Sequence, residues 1–410
     1  MKIRRLTCAL VAVSLSLGVS AMAASGAGAA KKAAPQVYII LLAETRGESS
    51  NAVPYYADGA ALAAEELGDK VKVERIPAPL TPAAAQNALL QAIEREPDLI
   101  IGFPSSAQII ALQPTIKSSG IPTLGLSSGE QTVGNGPYGA PNLYLIRPVD
   151  TNVAVAETEY VINTLKAKKI GLQCVDNATG INGCNAAKKV IEASDRKGVE
   201  VTVERTNSTS ATDLTEQVRA MSGVDAILNF NFPNPLGVMA NQLVANAINV
   251  PHVDGASAGI VTASGAVRGE AAENLKGVDD CVPVASTKKK VQKFVTDYNT
   301  KFGGNPIYSS AQVYDMVHFA ADIAAEQGAV TPKAMLKGLA TQTWQGICTT
   351  YKGDSIQVLG HTAELTKFDA NGVPSIEKTL TFAPGQLPFT VVTTVPTTTV
   401  PGATATTAAR

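Results

Sequence analysis

The sequence predicts an α/β protein of two similar lobes, each a parallel sheet flanked by helices, joined by a multi-segment hinge. Three observations predict it. Short runs rich in β-branched residues alternate with longer helical patterns, and the alternation restarts partway along the chain. Once both atypical ends are set aside, roughly 355 of the 410 residues remain, more than one compact core usually holds.

In the first run the expected strands are VYIILLA at 37, VKVERI at 71, DLIIGF at 98 and IPTLGL at 121. Between them lie the helical patterns YYADGAALAAEELG, TPAAAQNALLQAIERE and SAQIIALQPTIKSSG. The second helix opens with Thr81 as cap and Pro82 at its first position, where a missing N–H costs nothing. Strands that alternate with helices argue for a parallel sheet covered on both faces. After YLIRPVDTN at 144 the rhythm restarts. The strands KKIGLQCVD, EVTVERT, VDAILNF and VPHVDG alternate with the helices CNAAKKVIEASDRKG, DLTEQVRAM (capping-box Asp213 and Glu216) and GVMANQLVANAI. Beyond Val284 come two more helices, VQKFVTDYNTKF and SAQVYDMVHFAADIAAE. Val291, Phe294, Val295, Tyr298 and Phe302 share one face of the former and need a sheet to pack on, most simply that of the first lobe. The expected division is 36–149 with 284–345 in the first lobe and 150–283 with 346–385 in the second.

The two ends read differently. Lys2, Arg4 and Arg5 precede an apolar stretch from Leu6 to Val19, followed by Ala21-Met22-Ala23. This is the pattern of a cleaved signal peptide over 1–23, with cleavage as late as 30, and the apolar run is shorter than the ~20 residues a membrane span needs. Cys8 lies at the start of that run, not after it, where a lipid-modified cysteine should fall. The protein is therefore expected to be exported, to the periplasm or cell envelope, and soluble or peripherally tethered. The Thr/Pro-rich segment 386–410 reads as a disordered tail or a wall-spanning stalk.

Lys and Arg number 34 against 35 Asp and Glu, with no basic block carrying interleaved aromatics, so nucleic acid is not an expected partner. Four cysteines follow the signal segment, an even count that in an exported chain suggests two disulfides. Three pairings exist in principle. Cys174–Cys184 is favoured by the short loop between them, which leaves Cys281–Cys348 by elimination. The spacing is not that of a zinc site, His252, His318 and His361 are scattered, and no cofactor or metal is expected.

The stretch DLIIGFPSSAQII places Ser105 and Ser106 where a strand hands over to a helix. A nucleophile elbow reads G-x-S-x-G, but here Gly102 precedes Ser105 by three and the next glycine is Gly120. A phosphate cradle would carry more glycines and a lysine. Two readings remain: a plain helix cap, and a clamp for a small anion at the helix N-terminus beyond the carboxyl ends of a parallel sheet. The next strand ends in GLSSGEQ, which brings Ser127 and Ser128 to the same edge. In the other lobe the strand ends CVDNATG, NFNFPNP and HVDG offer Asp254 for an ammonium, Phe232 for an apolar group, and Asn231 or Thr179 for a hydrogen bond. Asp254-Gly255 reads equally well as a turn, and Phe232 as core.

These segments resemble the periplasmic-type substrate-binding proteins of ABC importers, specifically the Leu/Ile/Val-binding branch, over roughly 37–385. The resemblance rests on YYADGAALAAEEL, DLIIGFPSSAQIIALQPTIKSSGIPTLGLSS, NLYLIRPVDTN and AQVYDMVHFAADIAAE, in that order and spacing. It implies a type 1 binding protein that closes on a small molecule and delivers it to a membrane permease, without catalysis and as a monomer. It also implies that Ser106 (with Ser105 beside it), Ser127 and Ser128 hold a carboxylate, that Asp254 holds an amine, and that Phe232 covers the ligand. The sequence departs from the pattern at Thr179-Gly180, where the branch carries Tyr-Gly, and at Gly129, where it commonly carries threonine. The expected ligand class is therefore open among amino acids, amides, urea-like solutes and aromatic acids. A ligand-sensing receptor of the same fold is the alternative, with a secreted hydrolase behind it.

Overall fold

The computed structural model describes residues 34–43 and 53–389; the expected signal segment and nearly all of the Thr/Pro-rich tail lie outside them. The first lobe is built from β1 (Val37–Leu42), α1 (Val53–Leu67), β2 (Val71–Ile76), α2 (Pro82–Glu94), β3 (Leu99–Gly102), α3 (Ser106–Ser119), β4 (Thr123–Gly125) and β5 (Leu143–Leu145). Its five strands run in the order β2-β1-β3-β4-β5, all parallel. β1 is apolar throughout because both faces of the sheet are covered. Ile39 and Leu41 point into a core shared with α1, while Ile40 and Leu42 point into one shared with α2 and α3.

The second lobe follows with α4 (Asp150–Asn163), β6 (Lys169–Val175), α5 (Ala178–Glu192), β7 (Glu200–Asn207), α6 (Thr215–Ala220), β8 (Ala226–Phe230), α7 (Pro233–Ala245), β9 (His252–Asp254), α8 (Ser257–Ala263), α9 (Glu270–Asn274) and β10 (Leu275–Asp279). The chain then supplies α10 (Lys289–Phe302), α11 (Tyr308–Gln327), α12 (Pro332–Thr341) and the small hairpin β11 (Thr343–Gln345) and β12 (Thr350–Lys352). It ends in β13 (Thr362–Phe368) and β14 (Pro374–Thr381). The second sheet has the order β14-β13-β10-β9-β8-β6-β7, parallel from β7 to β10 and antiparallel at β13 and β14.

α10 and α11 return to the first lobe, where Phe294, Tyr298, Val317 and Phe319 join the core of Ile39 and Leu41. α1 and α11 approach so closely that a Cβ on Gly59 would lie 2.0 Å from the carbonyl oxygen of Ser310. Glycine is what permits this contact between helices. Residues 346–359, expected with the second lobe, also sit with the first. Ile347, Tyr351 and Leu359 join its core, and Val358 bridges Leu145 in parallel. The last crossing thus falls near Gly360, because Asp315 on α11 accepts the N–H groups of Ile347 (2.7 Å) and Cys348 (3.0 Å) and holds that segment in place.

The chain pairs Cys174 with Cys184 and Cys281 with Cys348, as expected, with Cα–Cα distances of 6.2 and 5.0 Å. α5 differs from the sequence expectation. It starts at Ala178 and ends at Glu192, not 184–198, because the Asn177 side chain accepts the Gly180 N–H at 3.2 Å and caps the helix early.

Candidate functional site

A cleft of about 150 Å³ lies where the two lobes face each other. Pro104, Ser105, Ser106 and Ser128 line it from the first lobe, with Tyr56 and Tyr308 at the N-terminal ends of α1 and α11. Thr179, Asn229, Asn231, Phe232 and Asp254 line it from the second, along with Glu157 of α4. Seven of the eight expected residues meet here. Ser127 does not: it is buried, its Oγ has no partner, and it is absent from the cleft wall. Consecutive residues of an extended segment point opposite ways, so only Ser128 of the pair reaches the opening.

The turn from β3 to α3 is under backbone constraint. Phe103 is fully buried yet adopts φ 64°, directly before Pro104. A left-handed aromatic residue costs on the order of 1–3 kcal/mol and persists where the surroundings impose it. Ser105 is the N-cap of α3: its N–H donates to Gln108 Oε1 at 3.1 Å, and its carbonyl accepts the Gln108 N–H at 3.0 Å. The capping reading thus holds at the same place where the anion clamp is expected. Ser106 is packed against Gly129 so tightly that a Cβ there would lie 2.3 Å from Ser106 Oγ. Gly129 has φ −65°, which any residue adopts, so it is the close approach of Ser106 that requires a glycine.

In the second lobe the loops after β8 and β9 are tied together. Asn231 N–H donates to Asp254 Oδ2 at 3.2 Å, and Ser257 Oγ donates to the Asn231 carbonyl at 2.9 Å. Burial pushes the Asp254 carboxyl up to about 8, partly offset by hydrogen bonds from Asn231 and Ser257. Glu157, 1 % exposed, has no partner at Oε2. Burial first, then the neighbouring Asp254 and Asp279, push it well above the usual carboxylate range. Asn229, 0 % exposed, has no partner for either side-chain polar atom. Buried polar groups are ordinarily satisfied, and this edge of the cleft holds several without a partner among the described residues.

Sequence reasoning missed the charges at the crossovers. Arg147 follows β5 and pairs with Asp280 after β10, and its guanidinium lies 4.8 Å from the centre of the Tyr308 ring. Asp150, the first residue of α4, accepts the Glu130 N–H at 3.3 Å and is pushed up to about 8, by burial first and then by Glu130. Both Arg147 and Asp150 stand in the NLYLIRPVDTN segment; what no local pattern shows is that the second crossover returns Asp280 beneath them.

None of the three histidines lines the cleft. His252 in β9 is buried and pushed down to about 4 by burial, and His318 on α11 lies 3.3 Å from Glu66. Among the described residues no cluster of His, Cys, Asp and Glu is arranged to hold a metal ion, and no helix is long and apolar enough to cross a membrane.

Two lobes, one with a parallel sheet and one with a sheet parallel except at β13 and β14, with repeated chain crossings and a cleft at the strand ends, define the architecture of a type 1 periplasmic binding protein. The chain belongs to the periplasmic binding protein family, whose profile matches residues 36–372. Its fold is similar to that of a leucine binding protein, LivK, from Thermotoga maritima (19% identity, 85% of this chain and 99% of that one, TM-score 0.72). It is also similar to LivJ, a branched-chain amino acid transporter substrate binding protein from Streptococcus pneumoniae in complex with isoleucine (20%, 85% and 100%, TM-score 0.72). A third likeness is to a solute binding protein of an ABC transporter from Rhodopseudomonas palustris in complex with 3,4-dihydroxybenzoic acid (15%, 85% and 97%, TM-score 0.74). A search of curated proteins finds no match. The resemblance read from the sequence thus holds at the level of family and fold.

Proposed function

We propose that this chain is an exported solute-binding protein that captures a small carboxylate- or amide-bearing, amino-acid-like solute in the cleft and hands it to an ABC importer. The observation that carries this reading is the cleft's two chemically different edges. One is the N-terminus of α3 with its serines, suited to an anion. The other holds Asp254, Glu157 and the unpartnered Asn229, suited to N–H donors and amides. Solved proteins of this fold are described with isoleucine and with an aromatic acid, which supports a binder and leaves the solute to be found. Contacts made to both lobes at once would favour the closed hinge.

A thermal-shift screen of the purified chain against amino acids, amides and aromatic acids tests this. A bound solute at a hundredfold excess over Kd should add about 3 kcal/mol of stability; no shift across the panel removes the reading. For whichever carboxylate solute binds, Gly129→Thr is expected to weaken affinity tenfold or more, about 1.4 kcal/mol, because the new Cβ displaces Ser106 Oγ. Calorimetric titration showing unchanged affinity would mean that Ser106 takes no part.

A further inference from the structure

The cleft carries more carboxyl groups than one ammonium needs. Its ionisable walls are Arg147 against Asp150, Glu157, Asp254 and Asp280. Arg147 is already committed to Asp280. None of the other three acids makes an ion pair with a described residue, and Arg147 is the weakest of the influences on Asp150. Asp254 accepts the Asn231 N–H at 3.2 Å, with Ser257 also lowering its pKa, whereas only burial and like charge act on Glu157. Glu157 nonetheless reaches the Asp254 loop: a Cβ on Gly255 would lie 3.3 Å from its Oε1. Asn229, which lines the same cleft from β8, has both an amide donor and an acceptor unengaged.

An apolar side chain docking here would bury two carboxyls further and satisfy neither, and an aromatic acid would add a like charge; both are unfavourable. A solute with cationic N–H groups supplies the missing charge to Glu157 and the missing donor to Asn229. We propose that the solute is a net cation, with one ammonium on Asp254 and a second amine or guanidinium group held by Glu157 and Asn229. Basic amino acids and diamino or guanidino compounds fit this; branched-chain and aromatic acids do not. The proposal rests on the solute-binding reading and narrows its ligand class.

Isothermal titration at pH 8 with L-arginine, agmatine, L-leucine and 4-hydroxybenzoate tests it. At least one of the two cations should bind roughly a hundredfold tighter than leucine, a difference within the range of a desolvated charge pair. Glu157→Gln, which keeps the shape and removes the charge, should weaken that cation at least tenfold, and Asn229→Ala should weaken it independently. Circular dichroism of both variants confirms that they fold, and either one alone suffices for the comparison. Leucine or 4-hydroxybenzoate binding more tightly than both cations overturns the cationic class while leaving solute binding intact. Cation affinity unchanged in both variants overturns the assignment to Glu157 and Asn229. No binding by any of the four probes removes the cationic class, while the broader screen decides solute binding on its own.

Discussion

Arg147→Met is expected to destabilise the protein by about 3–5 kcal/mol, the usual cost of leaving one partner of a buried ion pair without the other. Asp280 is almost fully enclosed, and the Arg147 side chain is mostly so. Burial raises the Asp280 carboxyl, and the Arg147 guanidinium opposes that rise. Without the guanidinium Asp280 takes up a proton, and its folded-state value moves further above the unfolded one. A carboxyl raised in this way favours folding at low pH and ceases to do so as pH climbs toward its folded value. The deficit of Arg147→Met should therefore be smaller at pH 5 than at pH 8. Urea unfolding at the two pH values measures it. The double variant Arg147→Met with Asp280→Leu should recover most of the loss, since an apolar pair of similar volume often replaces a buried ion pair without penalty. A single variant as stable as the parent at pH 8 would show that the pair is solvated and that the crossovers are held by other contacts.

Much of this architecture is legible in the sequence because local and global requirements agree. VYIILLA reads as a strand covered on both faces since Ile39 and Ile40 do enter opposite cores. The Ser105 turn is legible because a serine directly before a helical pattern marks an N-cap. What escapes has no local signature. β5, β10, β13 and β14 do not stand out: β5 has three residues, and β13 and β14 alternate polar with apolar at the sheet edge, where one side meets water. The expected lobe boundary is misplaced because Asp315, thirty-two residues upstream, fixes Ile347 through a hydrogen bond that no sequence pattern announces. In the site, Glu157 reads as an ordinary polar position of a helix. Its function-like isolation follows from burial against Asp254 and Asp279, which only the assembled sheet produces. Gly129 looks in the sequence like a lost contact, and the fold shows it as the space that Ser106 occupies.

The solute-free protein is expected to be more stable at pH 6 than at pH 8, by about 2 kcal/mol or more, since each tenfold gain in proton affinity on folding is worth ~1.4 kcal/mol. Asp150 and Asp254 are pushed up to about 8 and Asp315 to about 7, each by burial first. Glu157 and Asp279 are raised well above the ordinary carboxylate range by the same cause. For each of these the folded chain binds a proton more readily than the unfolded chain. The stabilisation is fully present below the ordinary carboxylate value near 4 and is lost as pH rises to 7–8. Glu74, Asp213 and Asp225 are shifted down instead, so their contribution is lost only at more acidic pH and does not oppose the trend above pH 6. A cationic solute reverses the cleft's part of this balance. It favours the ionised forms of Asp254 and Glu157, so binding expels protons, and affinity rises by up to about tenfold per pH unit for each proton released. Stability and cation affinity should then move in opposite directions between pH 6 and pH 8. Denaturation midpoints and calorimetric titrations in buffers of different ionisation enthalpy measure both. Stability that stays flat or climbs from pH 6 to pH 8 would show that Asp150 and Asp254 are ionised in the empty cleft, and that the charge there is compensated before any solute arrives.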